Sequence, residues 1–341
     1  MKVTTIGGAT HDVFITPKKT TIETSKTKGN PSANLNVPGE KVEVQSLFES
    51  TGGGATNSAV SFSRLGFSVS CFCKVGNDNY AKQIKKKLKD ENVNTELILT
   101  DNSTETGISH IIHTDNGRHV VFAYRGANGK LKTTEFPYAS LKNSDFFYIT
   151  SLSEESASTL LPLCQFAHKH NIPFALNPGR AQLSQNTSDL EEILAVTHIL
   201  ILNVGEAAEV LKVLAIGNTQ KPFEINFFFK KMASLGVKYC VVTDGAHGAY
   251  VSDNSRVIFH PSLPANVLDT IGAGDSFGST FSASIINKHS LEESLKRALI
   301  ASQSVIEKLG AKAGLLTSDQ MEVTAKAVNT KNIQEILKIT K

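Results

Sequence analysis

The chain has 341 residues, of which 40% are hydrophobic and 20% charged, a composition of a globular protein with a large buried core. Its 35 basic and 32 acidic residues leave a net charge of only +3, which argues against nucleic acid or an anionic membrane as a partner. Lys85-Lys86-Lys87, the densest basic cluster, lies in an amphipathic stretch and reads as a solvated helix face. The spacing of Cys71, Cys73, Cys164 and Cys240 fits no zinc pattern and suits buried thiols in a reducing compartment. The first residues read as a strand rather than a leader, and no apolar run is long enough to cross a bilayer, so a cytoplasmic location is expected.

Val3–Ile6 is a strand candidate ending at Gly7-Gly8. The polar stretch from Lys18 to Glu43 has no clear period and reads as a loop or mobile insertion. Val42–Gln45 alternates like a strand, and Gly52-Gly53-Gly54 leads into a helix over Ala55–Leu65. Strand and helix then alternate: strand Val69–Val75, helix Tyr80–Asn92, strands Ile108–His113 and His119–Tyr124 around the turn signal Asp115-Asn116-Gly117. Strands Phe146–Thr150, Pro173–Leu176, His198–Leu202 and Tyr239–Thr243 are separated by helices Glu154–Lys169, Asp189–Ala195, Val204–Val213 and Phe223–Leu235. Strands Ala249–Ser252 and Val257–His260 precede helices Ala273–Asn287, Leu291–Leu309 and Ser318–Val328. This pattern predicts an α/β fold with a mostly parallel sheet covered on both faces, and ligands at the carboxyl ends of its strands.

Asp269-Thr270-Ile271-Gly272-Ala273-Gly274-Asp275 runs directly into a helix. Small residues let backbone N–H groups approach a ligand, and the helix start adds unpaired donors and partial positive charge. Together they form an anion hole, with Asp275 placed beside it to accept a hydroxyl proton. No Gly-x-x-x-x-Gly-Lys-Ser/Thr loop is present, Asp275-Ser276-Phe277 breaks a dinucleotide fingerprint, and protein-kinase signatures are absent. Asn203-Val204-Gly205-Glu206 reads on physical grounds as a capping box.

The segment Asp269–Asp275 resembles, without mismatch, the C-terminal signature of ribokinase-like (PfkB) carbohydrate kinases, and the likeness extends from Gly7 to about Gly314. It implies one Rossmann-like, mostly parallel α/β kinase domain spanning residues 1–341, with a small β-sheet lid formed by about 13–50 and 106–128. The implied chemistry is transfer of the γ-phosphate of ATP to a hydroxyl of a small sugar. Asp275 is the base, and Gly272, Ala273 and Gly274 form the anion hole. Gly52–Ala59 and Gly66 resemble the N-terminal signature, which makes Gly53, Gly54 and Asn57 acceptor contacts, and Asp12 matches an acidic residue that binds substrate hydroxyls. His11 is a second contact candidate, and Arg125–Asn128 resembles the return from the lid. Asn203 and Glu206 match a motif that helps place Mg²⁺, Glu206 acting through water. Thr243, Gly245 and Gly248 match a nucleotide-lining stretch, Lys308 and Gly310 a late turn near the adenine, and Asn177–Arg180 a phosphate-side segment. The resemblance leaves open a monovalent cation (K⁺) at Asp269, and it favours a homodimer. A nucleoside kinase with a base clamped by Phe14, Phe122 or Tyr124 stays as the alternative, followed by a non-catalytic ligand-binding regulator on the same fold.

Overall fold

The computed structural model of the protein describes residues 1–18, 22–27, 30–35, 41–113, 119–183, 186–214, 223–329 and 331–339. Its framework is a ten-stranded sheet. Seven neighbouring strands run parallel, in the order Val93–Asn94, Ser68–Phe72, Lys2–Ile6, Phe146–Ile149, Phe174–Leu176, Ile199–Asn203 and Tyr239–Thr243. Ala249–Ser252, Arg256–His260 and Gln334–Lys338 extend the edge in antiparallel fashion. The parallel strands are apolar on both sides because side chains alternate between two buried faces. Tyr148, Ile201 and Val241 enter one core with the helices Gly54–Arg64, Ala273–Ile286 and Leu291–Ile306. Phe147, Leu200 and Val242 enter the other, with Leu160–Lys169, Thr187–Val196, Val204–Val213 and Ile225–Leu235. Fully buried rings such as Phe62, Phe146, Phe228 and Phe281 each stabilise the fold by roughly 2–3 kcal/mol.

A separate four-stranded sheet stands above the first strand's carboxyl end, in the order His119–Tyr124, Gly107–His113, Thr10–Pro17 and Val44–Gly52. Thr10–Pro17 pairs parallel with Gly107–His113 and antiparallel with Val44–Gly52. The register fixes its two faces. Asp12, Phe14, Phe48, Ser50 and Ser109 share one face; His11, Val13, Leu47, Phe122 and Tyr124 share the other.

The expected elements recur within a few residues, with four informative differences. Ile22–Thr27 and Asn30–Leu35, read as loop, form an antiparallel ladder. Its Thr- and Ser-rich strands have β propensity without apolar alternation, so their period is silent. The Lys18 ammonium meets the Glu43 carboxylate at 2.6 Å across the base of this insertion. Val69–Val75 splits into Ser68–Phe72 and Lys74–Gly76, and Glu154–Lys169 starts with a 3₁₀ segment over Glu154–Thr159. Gln334–Lys338 has no sequence-level strand signal but pairs with Arg256–His260, helped by Arg256 lying 3.7 Å from Glu335. The turn Asp115-Asn116-Gly117 lies outside the described residues. Among the described residues, no helix is long and apolar enough to cross a membrane.

Candidate active site

Two parallel helices bring the two signatures together. Gly54–Arg64 is buried along most of its length, and its small residues allow close approach of Ala273–Ile286. Asn57 Nδ2 donates to Asp275 Oδ2 at 2.7 Å, and one turn further Ser279 Oγ meets Ser61 Oγ at 2.7 Å. The same sequence offset at both rungs sets the helices parallel and places Asn57 against Asp275. At the start of the second helix Gly272 has φ +84°, and a Cβ there would strike Ala311. Gly53, at φ +91°, lies so close to the Gly8 carbonyl that a side chain would not fit. Asn128 pins the facing loop, accepting from Ala9 N–H at 2.8 Å and donating to its carbonyl at 2.7 Å.

Asp275 is the meeting point of two spaces. Its chain neighbours Ala273 and Gly274 line a cleft of about 440 Å³, with Thr243, Gly245, Gly248 and Phe277 on the other walls. Its carboxylate instead turns to Asn57, toward the small sheet that carries Asp12. The N–H groups of Gly272, Gly274 and Asp275 have no hydrogen-bond partner among the described residues, as the first turn of a helix dictates. The Ala273 N–H differs: it donates to Thr270 O at 3.3 Å. Of the three donors expected at Gly272, Ala273 and Gly274, Gly272 and Gly274 are thus free, and the Asp275 N–H is free beside them.

Asp12 faces this carboxylate from the small sheet, with Thr10 Oγ1 donating to its Oδ1 at 2.8 Å. Gly52 leaves the room its other oxygen occupies. Burial pushes Asp12 above the usual carboxylate range, against the pull of Thr10 and Lys312. Burial also raises Asp275; Asn57 and Lys312 oppose this, and Asp12 adds to it. Lys312, which the motifs did not point to, lies between them, 3% exposed and lowered by burial to about 8. A buried lysine has no sequence signal distinguishing it from a solvated one.

On the nucleotide side the capping box is formed. Asn203 N–H donates to Glu206 Oε2, and Glu206 N–H to Asn203 Oδ1, both at 2.9 Å. Burial raises the Glu206 carboxyl, and Arg180 pulls it down. Asp269 is buried, accepting from Ile271 N–H at 3.1 Å and from Gly310 N–H at 3.3 Å. It staples the glycine loop to the Gly310 turn. Gly310 lies under Phe48 and Ser50 of the small sheet, and Lys308 is exposed; neither lines the cleft. His11, a second contact candidate, sits on the face opposite Asp12, stacked on Tyr80 and 3.2 Å from Glu49. Among the base-clamp candidates only Phe14 shares Asp12's face. Phe122 and Tyr124 point away, while Phe48, unforeseen, packs on Phe14 with ring centroids 5.6 Å apart.

A doubly covered parallel sheet, free N–H groups at a helix start and a buried carboxylate on the same helix are features of the ribokinase fold. Residues 27–318 match the pfkB family carbohydrate kinase model, and the chain belongs to that family. It is 28% identical over 286 residues to a ribokinase of Bacillus subtilis, covering 83% of this chain and 90% of that protein. The same level of identity, 28% over 287 residues, links it to a bifunctional ribokinase/ribose-5-phosphate isomerase A of Fructilactobacillus sanfranciscensis; the match covers 83% of this chain and 51% of that relative. Two solved structures share the fold. A Burkholderia thailandensis nucleoside kinase in complex with inosine has TM-score 0.78 and 15% identity, covering 95% of this chain and 98% of that one. An Arabidopsis thaliana ribokinase complexed with ribose and ATP has TM-score 0.75 and 20% identity, with the same coverage of 95% and 98%.

Proposed function

We propose that the protein transfers the γ-phosphoryl group of ATP to a primary hydroxyl of a small sugar. The observation that carries this reading is the position of Asp275: the preceding Gly274 lines the 440 Å³ cleft, while the Asp275 carboxylate turns to Asn57. ATP would occupy the cleft, its adenine against the apolar wall near Phe277 and Leu299 and its phosphates toward Gly274. Asp12 accepts hydroxyl protons of the sugar, which orients it. Asp275 Oδ2 is held by Asn57, so Oδ1 is the oxygen left to take the proton of the attacking hydroxyl. The O–H bond breaks to Asp275, the new O–P bond forms, the bond to the β-phosphate oxygen breaks, and ADP leaves. The free N–H groups of Gly272, Gly274 and Asp275 stabilise charge on the transferring group. Glu206 keeps Oε1 outside its capping box, so this half-buried carboxylate fits a Mg²⁺ held through water. When bound, the ion neutralises charge on the β- and γ-phosphate oxygens.

The small sheet acts as a lid within one kinase domain, excluding water from the acceptor and suppressing ATP hydrolysis. Its far face exposes Leu47, Phe122 and Tyr124 at 57%, 46% and 49%, which suits pairing of two lids in a homodimer, measurable by light scattering. The four buried free cysteines suit a cytoplasmic setting, which cell fractionation would check. A nucleoside acceptor is the second reading, favoured by the Phe14–Phe48 pair on Asp12's face. A coupled ADP-release screen with MgATP separates the two. Release with a pentose or hexose supports the sugar reading, release with nucleosides alone selects the second, and no release with either class refutes both.

A further inference from the structure

Lys312 donates to Thr51 O at 2.6 Å, Thr56 Oγ1 at 2.9 Å and Asn57 Oδ1 at 2.6 Å. An ammonium has three protons, so none is left for a substrate. Shape alone allows an asparagine amide either way round. With Oδ1 accepting from Lys312, Nδ2 must face Asp275, where it donates at 2.7 Å. The lysine itself is held in place. Arg64, from the helix that carries Asn57, donates to Lys312 O at 3.1 Å and Leu315 O at 2.7 Å, and its guanidinium is paired with both oxygens of Glu91.

We propose that Lys312 is a positioning residue of the transfer reaction: it locks the Asn57 amide so that Asp275 presents Oδ1 to the acceptor, and it places a buried positive charge between Asp12 and Asp275. This rests on the reading of Asp275 as the base. The charged and titratable groups facing Lys312 are Asp12 from the small sheet, Asp275 from its helix, Cys71 from the Ser68–Phe72 strand and Lys87 from the Asn79–Asp90 helix. The two carboxylates and Cys71 favour the ammonium; burial and Lys87 oppose it.

The test is a ¹³C-carboxyl NMR titration of Asp275, assigned by its loss in Asp275→Asn, in wild type, Lys312→Gln and Lys312→Arg. It needs no acceptor. Loss of the charge should raise the Asp275 midpoint by about one unit or more, and Lys312→Arg should restore much of it. With MgATP and D-ribose, Lys312→Gln should lose roughly 10–100-fold in kcat while KM for ATP stays within about twofold. An unchanged Asp275 midpoint in folded Lys312→Gln overturns the proposal. Should that variant not fold, the wild type still decides. Its Asp275 carboxyl carbon and Asn57 amide nitrogen should both inflect where Lys312 titrates, at about 8, and the absence of that inflection overturns the proposal equally. If wild type leaves D-ribose untouched, ribose fails as acceptor, and the titration still decides the role of Lys312.

Discussion

At the scale of single residues, the site holds two carboxylates and a lysine out of water, and each departs from its ordinary value in the direction burial dictates. The consequences for stability have definite signs. Asp275 is raised from 3.8, so between that value and its raised one the folded state holds the extra proton. Its contribution is therefore favourable in acid and is lost as pH rises through the raised value. Lys312 is lowered from 10.5 to about 8, so the unfolded chain binds more protons between these values and stability rises with pH there. Asp275→Asn, which removes a buried charge, should accordingly be at least as stable as wild type near pH 7. That advantage should shrink toward about pH 4, and urea midpoints across the range would show it. The meeting of Asn57 with Asp275 was anticipated through their two signature segments, since each residue taken alone reads equally as part of a helix start. Lys312 was not, since its burial arises from the small sheet and two helices meeting far away in the chain. That His11 and Asp12 take opposite faces was not legible for a related reason, because the face a strand residue takes is set by pairing register.

At the scale of elements, the helix starts and the turns that meet them do the positioning. Gly272 combines a left-handed φ of +84° with direct contact to Ala311. Gly272→Ala should cost about 1–2 kcal/mol for the conformation alone, with more for the collision, and should lower kcat more than it raises KM for a sugar. Thermal melts and steady-state kinetics would measure the two effects. Arg64 ties the Asn57 helix to the turn carrying Lys312, and both it and its ion-pair partner Glu91 are more than half buried. Arg64→Met should destabilise by about 3 kcal/mol and reduce turnover without touching any substrate, readable as a lower urea midpoint with an unchanged m-value. Apolar periodicity made the alternating strands and helices readable to within a few residues. It failed where pairing rather than periodicity makes the element, as in Ile22–Thr27, Asn30–Leu35 and Gln334–Lys338. The Leu291 helix stops at Ile306, short of the expected Leu309, and the chain reaches left-handed Gly310 in order to meet Asp269.

At the scale of the whole molecule, the parallel sheet delivers its carboxyl ends to one edge, where Asp275 meets Asn57 beside the cleft lined by Gly274. The small sheet and the cleft are separate parts, so on the proposed reading acceptor choice and ATP binding should respond to different substitutions. Phe48→Ala, on the acceptor face, should change KM for the acceptor several-fold and leave KM for ATP within about twofold. The central claim is that Asp275 is the base of a two-sided phosphoryl transfer. It is tested most directly by single-turnover conversion of MgATP with the acceptor found in the screen, comparing wild type with Asp275→Asn. The prediction is that the variant binds ATP as wild type does and forms the phosphorylated product roughly 10²–10⁴-fold more slowly. Product formation by Asp275→Asn at the wild-type rate would contradict it.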